Sequence, residues 1–265
     1  MKFRLVLIAL AIAFLLSGCF LKNLTGFGKP ALVLPTVTNK TGKVLIQTVS
    51  IGDQGYLYNS YIITSSAGET VVIDPTNMPA KSIVDLKPAL IISTHGHTDH
   101  IDPAFTDSYD AIKIKYTKED IKTRDFRVYT VLSSHLGNTI APSGNVIVVL
   151  EVDGLRIAHM GDIGQDQLTP TQLEELGKID IAFMQFYNGH SGIYLTNDKA
   201  FNLIEQLNPT VIIPTHYADQ NLPMLVKKYG KITDFKNLLA ISKADLPVKP
   251  LTVYRILNLH RYTIK

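Results

Sequence analysis

Apolar positions in this chain fall mostly into short, dense runs rather than long helical stripes. Residues 44–50, 56–64 and 70–74 are rich in β-branched and aromatic side chains and read as three strands. A turn at Gly52-Asp53-Gln54-Gly55 separates the first two, and Asp74-Pro75 stops the third, because proline cannot pair inside a sheet. A short helix is expected within 79–86, a buried strand over 89–93, and one or two helical turns over 103–109. Residues 126–133 form a further strand. Residues 145–152 and 155–160 form a hairpin closed by Asp153-Gly154. Thr169-Pro170-Thr171-Gln172 starts a helix with a cap, a proline at its first position and a capping-box glutamine; Gly177 ends it. Strands are expected at 179–184 and 210–214, with a helix between them capped by Thr196 or Asn197 and running to Leu207. A helix over 233–242 and a strand over 251–256 close the chain. The early part is a meander and the later part alternates helix and strand. That combination predicts an α/β (α+β) fold of two packed sheets with helices outside.

The first 42 residues do not share this pattern. Met1-Lys2-Phe3-Arg4 is a short basic start, residues 5–16 are an unbroken apolar run, and Ser17-Gly18 precede Cys19. The run is short for a bilayer span and reads as a secretory signal. Leu16-Ser17-Gly18-Cys19 resembles the lipobox of bacterial lipoproteins, in which the cysteine is acylated and the signal is cut just before it; the alternative is a plain signal peptide. The expected organisation is a signal at 1–18, a lipid-anchored tether at 19–42 partly packed through Leu32, Val33 and Leu34, and a domain at 43–265. This places the domain outside the cytoplasm, held at a membrane through Cys19. With Phe20 after the cysteine, the resemblance implies the outer membrane where the cell has one.

Composition narrows the choices. An apolar fraction of 46% with 18% charged residues is that of a globular chain. Cys19 is the sole cysteine, so no intrachain disulfide is possible. Without Lys2 and Arg4 the 26 basic residues become 24 against 23 acidic ones, which leaves no basic footprint for nucleic acid. Lysines and arginines do gather within 111–127, as a solvated face or as a rim facing phosphate.

The candidate chemistry centres on Thr94-His95-Gly96-His97-Thr98-Asp99-His100, directly after the buried strand at 89–93. His95 and His97 are spaced to point the same way in an extended loop, with Asp99 and His100 just beyond. Further ligand-type residues stand at strand ends: His135, Asp162, His190 and His216. Two cations held close together need a shared anion, and a carboxylate such as Asp162 can bridge them. Imidazole and carboxylate suit zinc, manganese or iron. His159 reads as a core residue or as support for the ligands.

His95-x-His97-x-Asp99-His100, followed in order by His135, Gly161-Asp162 and His216, resembles the metallo-β-lactamase superfamily over roughly residues 44–256. The resemblance implies an αββα sandwich. It also implies two divalent metal ions, zinc by preference: one held by His95, His97 and His135, the other by Asp99, His100 and His216, with Asp162 between them. The segments 156–162 and 212–217 resemble the ascorbate-6-phosphate-lactonase-like hydrolases. True β-lactamases lack the bridging aspartate, and flavodiiron proteins carry glutamate where His97 stands. The loop 187–194 departs from the glycine-rich turn expected there. The expected function is metal-dependent hydrolysis of an ester, lactone or phosphodiester in a small molecule. Asp99 would orient the water or accept a proton from it while also binding the second metal; Tyr187, His190, Tyr194 and Tyr217 would contact substrate. The alternative is a non-catalytic surface lipoprotein that binds metal or a partner on such a scaffold.

Overall fold

The computed structural model describes residues 38–50, 60–79 and 86–257. The signal, Cys19, the tether through Leu34, the turn at 52–55, most of the helix expected at 79–86 and His260 lie outside the described residues. Among the described residues no helix is long and apolar enough to cross a membrane.

The chain builds two sheets. β1 (Val44–Thr48), β2 (Tyr61–Thr64) and β3 (Thr70–Ile73) form the expected antiparallel meander. β4 (Pro88–Ser93) and β5 (Ile112–Lys115) then add in parallel. The second sheet begins with a meander of β6 (Asp120–Lys122), β7 (Arg127–Ser133), β8 (Asn145–Val152) and β9 (Leu155–His159). It continues in parallel through β10 (Ile181–Gln185) and β11 (Val211–Thr215). The β8–β9 turn has Asp153 at φ 49° and Gly154 at φ 77°, the two positive angles that a tight hairpin turn requires.

Burial on both faces explains the dense apolar runs. Side chains alternate across a strand, so Val146, Val148 and Leu150 of β8 enter the core between the sheets, while Ile147 and Val149 face the outer layer. That inner core joins Ile46, Ile63, Val71, Leu90 and Ile92 of the first sheet to Ile157, Ile181, Phe183 and Ile213 of the second. The outer face of the second sheet is covered by α2 (Pro170–Leu176), α3 (Lys199–Leu207) and α4 (Asn221–Tyr229), which bury Leu176, Leu203, Ile204, Leu207 and Leu225. α1 (Pro103–Asp107) packs Phe105 with Ile62, Val72 and Ile91 on the outer face of the first. The expected layering of helix, sheet, sheet and helix is present.

Several local expectations need correction. Residues 233–242 are not a helix. They divide into β12 (Ile232–Phe235), parallel to β14 (Thr252–Ile256), and β13 (Leu238–Ile241), antiparallel to β1. Sheet pairing decides the conformation here over local pattern. The charged stretch at 111–127 is largely solvated, but it also contains the short edge strands β5 and β6, whose exposed lysines discourage further pairing. Helix α4 has no counterpart among the expected elements; its Pro223 sits in the first turn, where a missing N–H is no loss. Helix α3 has Asp198 at its N-cap position, without a side-chain capping bond, rather than Thr196 or Asn197, whereas α2 shows the expected Thr169–Gln172 capping box.

Strand direction places the candidate site. β8 runs antiparallel to both β7 and β9, and β10 and β11 run parallel to β9. The C-terminal ends of β7, β9, β10 and β11 therefore lie at one edge, the usual place for a ligand in an α/β sheet.

Candidate metal centre

Those strand ends deliver His135 after β7, Asp162 after β9, Asn188 after β10 and His216 after β11, and the loop after β4 carries His95 to His100. The side chains form two groups: His95, His97, His135 and Asp162, then Asp99, His100, Asp162 and His216. In each, the ligand atoms lie within 4.8 Å of one another. All seven residues expected to hold metal are thus brought together, and Asp162 is common to both groups. Its Oδ2 lies 3.5 Å from His95 Nε2 and 3.7 Å from His135 Nε2. Its Oδ1 lies 3.3 Å from both His100 Nε2 and His216 Nε2. Asp99 Oδ2 completes the second group, 3.4 Å from His216 Nε2 and 3.5 Å from His100 Nε2.

These separations are longer than good N–H···O hydrogen bonds. His95 Nε2, His135 Nε2 and Asp162 Oδ1 are buried without a hydrogen-bond partner. Leaving a buried polar atom unpaired costs about 1–3 kcal/mol. Such atoms in both groups, His95 Nε2 and His135 Nε2 in one and Asp162 Oδ1 in the other, fit cations, and the donor set of nitrogen and carboxylate oxygen suits zinc, manganese or iron.

The titrating groups respond to one another. Burial works against the charged form of Asp162, but His100 and His216 beside it hold its carboxyl well below the usual range. For Asp99 burial is likewise opposed, and overcome, by His100 and His216, which leaves its pKa at about 2. Burial, reinforced by His100, lowers His95 to about 3, so its imidazole is neutral and able to ligate. Burial also lowers His216. His100 goes up: burial opposes its charge, but the carboxylates of Asp74 and Asp162 on either side prevail. A positive charge is favoured there, from a proton or from a metal ion.

A buried carboxylate absent from the expected set organises the ligands from behind. Asp74, at φ 49° just after β3, accepts hydrogen bonds from Thr94 N at 2.7 Å and from Thr94 Oγ1 at 2.8 Å. It also meets His100 Nδ1 at 2.7 Å. Thr94 Oγ1 lies 3.1 Å from His95 Nδ1. With His100 Nδ1 and His95 Nδ1 as donors, one carboxylate sets the tautomer of a histidine in each group, directly for His100 and through Thr94 for His95. Both Nε2 atoms are then left as acceptors for metal. The sequence signal was present in Ile73-Asp74-Pro75, an acidic residue closing an apolar strand, but it read only as a strand end. His159 proves to belong both to the core and to the site's support. It stacks on Phe183 and accepts a 3.1 Å bond from Gly161 N at Nδ1.

The turn bearing Asp162 is fixed by its neighbours. Gly161 has φ +56°, and a Cβ there would strike Asn145 Oδ1 and Thr94. Asn145 Oδ1 accepts from Asp162 N at 3.0 Å, and its Nδ2 donates to Ser133 Oγ at 2.7 Å, two residues before His135. Asn188 Nδ2 donates to Asp162 Oδ2 at 2.6 Å and to Gln185 Oε1 at 2.9 Å. His216 sits at φ 35°, an uncommon angle for a side chain of its size, and its carbonyl accepts from Phe186 N and Tyr187 N. Asn145, Gln185 and Asn188 were not singled out from the sequence, because uncharged amides at strand ends carry no distinguishing pattern.

The four expected substrate contacts are placed differently from one another. Tyr187, His190 and Tyr194 are exposed on the loop after β10. Tyr217 is half-buried against the outer core, with the Arg255 guanidinium beside it.

Comparison with known proteins agrees with this geometry. The model of the beta-lactamase superfamily domain matches residues 56–216. A UPF0173 metal-dependent hydrolase of Thermoplasma acidophilum is 28% identical over 189 residues, covering 56% of this chain and 75% of that protein. Among solved structures, a Thermotoga maritima protein described as a Zn-dependent hydrolase of the metallo-beta-lactamase superfamily aligns with a TM-score of 0.60. It is 20% identical and covers 81% of this chain and all of its own. A Parabacteroides distasonis protein described as a metal-dependent hydrolase aligns with a TM-score of 0.52 and 20% identity, over 84% of this chain and 97% of its own. These two alignments speak for the fold. With the family model spanning the loop of His95, the turn of Asp162 and the end at His216, the chain belongs to the beta-lactamase superfamily.

Proposed function

We propose that the protein is a metal-dependent hydrolase with two divalent ions, zinc by preference, acting on an ester, lactone or phosphodiester in a small molecule. One observation carries the reading: the two oxygens of Asp162 face two separate groups of ligand atoms. His95, His97 and His135 would hold one ion, Asp99, His100 and His216 the other, with Asp162 between them. When bound, such a pair supplies an acidified water and Lewis acidity at the scissile bond. The chain's own residues do the rest. Asp99, ionised and 15% exposed, orients the attacking water by accepting a hydrogen bond from it and takes its proton. Asp162 and Asn188 fix the distance between the groups, and Asp74 fixes the rings of His95 and His100. Tyr187, His190 and Tyr194, exposed on the loop after β10, would meet substrate. The likeness of 156–162 and 212–217 to the ascorbate-6-phosphate-lactonase-like hydrolases supports a lactone or a related ester.

We place this site outside the cytoplasm, on a chain acylated at Cys19. The reading rests on the basic start, the apolar run at 5–16 and the small residues before Cys19. Two acyl signals anchor stably where one does not.

Three outcomes are expected. Asp162→Ala binds no more than one ion per chain and loses bis-nitrophenyl phosphate and lactone turnover by about 10³-fold or more, in line with the loss of one principal electrostatic group. Two retained ions with full turnover would contradict the mechanism, and metal without turnover in the unaltered protein would favour the non-catalytic reading. Asp74→Asn stays folded by circular dichroism but binds zinc roughly 10–100-fold more weakly in chelator competition, as removal of a supporting carboxylate does. Unchanged affinity would remove Asp74 from the ligand-orienting role. Cells fed labelled palmitate incorporate label into the unaltered protein and not into Cys19→Ala. Equal labelling of the two would rule out an acyl anchor at Cys19.

A further inference from the structure

Two loops flank the metal ligands, and both expose apolar side chains. Leu136, directly after His135, is 64% exposed, and Ile140 further along that loop is 36% exposed. On the loop after β10, Tyr187 is 43% and Tyr194 46% exposed. These are four of the seven large hydrophobic residues exposed among the described residues, and the other three lie on different elements. Singly exposed apolar residues need no explanation, but a group at the mouth of a site marks something that binds there.

Leu136 and the loop that carries Tyr187 and Tyr194 meet at one surface. A Cβ at Gly192 would lie 3.6 Å from Leu136 Cδ1, so the two loops touch. Tyr194 folds back over its own loop, its hydroxyl donating to Gly189 O at 3.1 Å. Tyr187 N donates to the carbonyl of His216 at 2.7 Å, and the neighbouring Asn188 donates to Asp162 Oδ2 at 2.6 Å. The apolar rim therefore begins at a ligand of one group and ends beside a ligand of the other. The loop is ordered by its own bonds: Asn188 caps a 3₁₀ turn at Gly189–Ser191 and pairs with Ile193.

Charge decides what the rim accepts. Residues 134–144 and 185–194 contain no Lys, Arg, Asp or Glu. The nearest ammonium, Lys199, is already engaged by Gly164 O at 3.0 Å and by Asp166 at 3.0 Å. Apart from the ligand His135 and the exposed His190, these loops carry no basic side chain to hold a phosphate or carboxylate away from the metal ligands.

We propose that Leu136, Ile140, Tyr187 and Tyr194 form a lip for an acyl chain of several carbons, so that the substrate is an ester carrying such a chain. The inference rests on the hydrolase reading above. In the step it implies, water adds through its oxygen to the acyl carbonyl and the bond from acyl carbon to alkoxy oxygen breaks. The alcohol leaves with one proton, and the fatty acid is released as its carboxylate with loss of the other.

The test compares nitrophenyl acetate with nitrophenyl octanoate on the zinc-loaded protein, and acetate with octanoate binding by calorimetry. The unaltered protein should favour the octanoyl ester in kcat/KM, and octanoate in binding, by roughly tenfold or more, as burial of several methylenes implies. In Leu136→Ser/Tyr194→Ser the preference should fall below about threefold, mainly through KM, by that same loss of apolar burial. Turnover with no chain-length preference, or a preference unchanged in the double variant, overturns the lip and leaves the hydrolase reading intact. A binding preference lost in the double variant, without turnover of either ester, of bis-nitrophenyl phosphate or of a lactone, supports the lip and overturns the hydrolase reading; turnover of bis-nitrophenyl phosphate alone overturns the acyl ester and leaves the hydrolase reading intact. Absence of both overturns the two together.

Discussion

One buried carboxylate with its oxygens turned to different partners is the constraint on which the structure depends. Asp162 has Oδ2 toward His95 and His135 and Oδ1 toward His100 and His216. A carboxylate taken from water to this depth is tolerated only where positive charge or hydrogen bonds compensate it. The histidines do so in part, and Asn188 and the backbone fixed by Asn145 do more. The unpartnered Oδ1 and the unpartnered Nε2 atoms around it remain to be satisfied. The architecture can be understood from that requirement. Like-directed strands bring their ends to one edge, Gly161 permits a turn that no larger residue could make, and His216 accepts an unusual backbone angle.

A second buried carboxylate gives the site its rigidity. Asp74 comes from the first sheet, and Asp162 from the second. Through Thr94 and His100, Asp74 holds a ring in each ligand group from the side away from Asp162. The histidine loop is thus clamped between the two sheets, and its geometry does not rely on the loop's own backbone preferences. Preorganisation of this kind holds the rings of His95 and His100 in place, while His100 Nε2 and His216 Nε2 approach to 3.0 Å, sharing a proton.

What could be read from the sequence follows the same physics. The ligand loop was legible because His95, His97, Asp99 and His100 crowd into a short stretch after an apolar strand, a density that chance rarely produces. His135, Asp162 and His216 were legible because each follows an apolar run, and strand ends are where ligands gather. The two-sheet layering came from runs buried on both faces. The polar residues behind the ligands were hidden, since Asp74, Asn145 and Asn188 are separated from their partners by long stretches of chain and look like ordinary turn residues. Residues 233–242 were misread as helical because β12 and β13 owe their conformation to distant strands, β14 and β1, and not to their own periodicity. The rim of Leu136, Tyr187 and Tyr194 was visible only in part, because an exposed leucine cannot be told from a buried one before the fold is known.

The account stands or falls on whether Asp162 joins two ions. Anomalous diffraction from crystals of the full domain grown with zinc tests this most directly. The account predicts two peaks about 3.5–4 Å apart, the spacing of paired catalytic ions, one beside His95, His97 and His135, the other beside Asp99, His100 and His216, with Asp162 between them. A single peak, or metal bound away from Asp162, would contradict it.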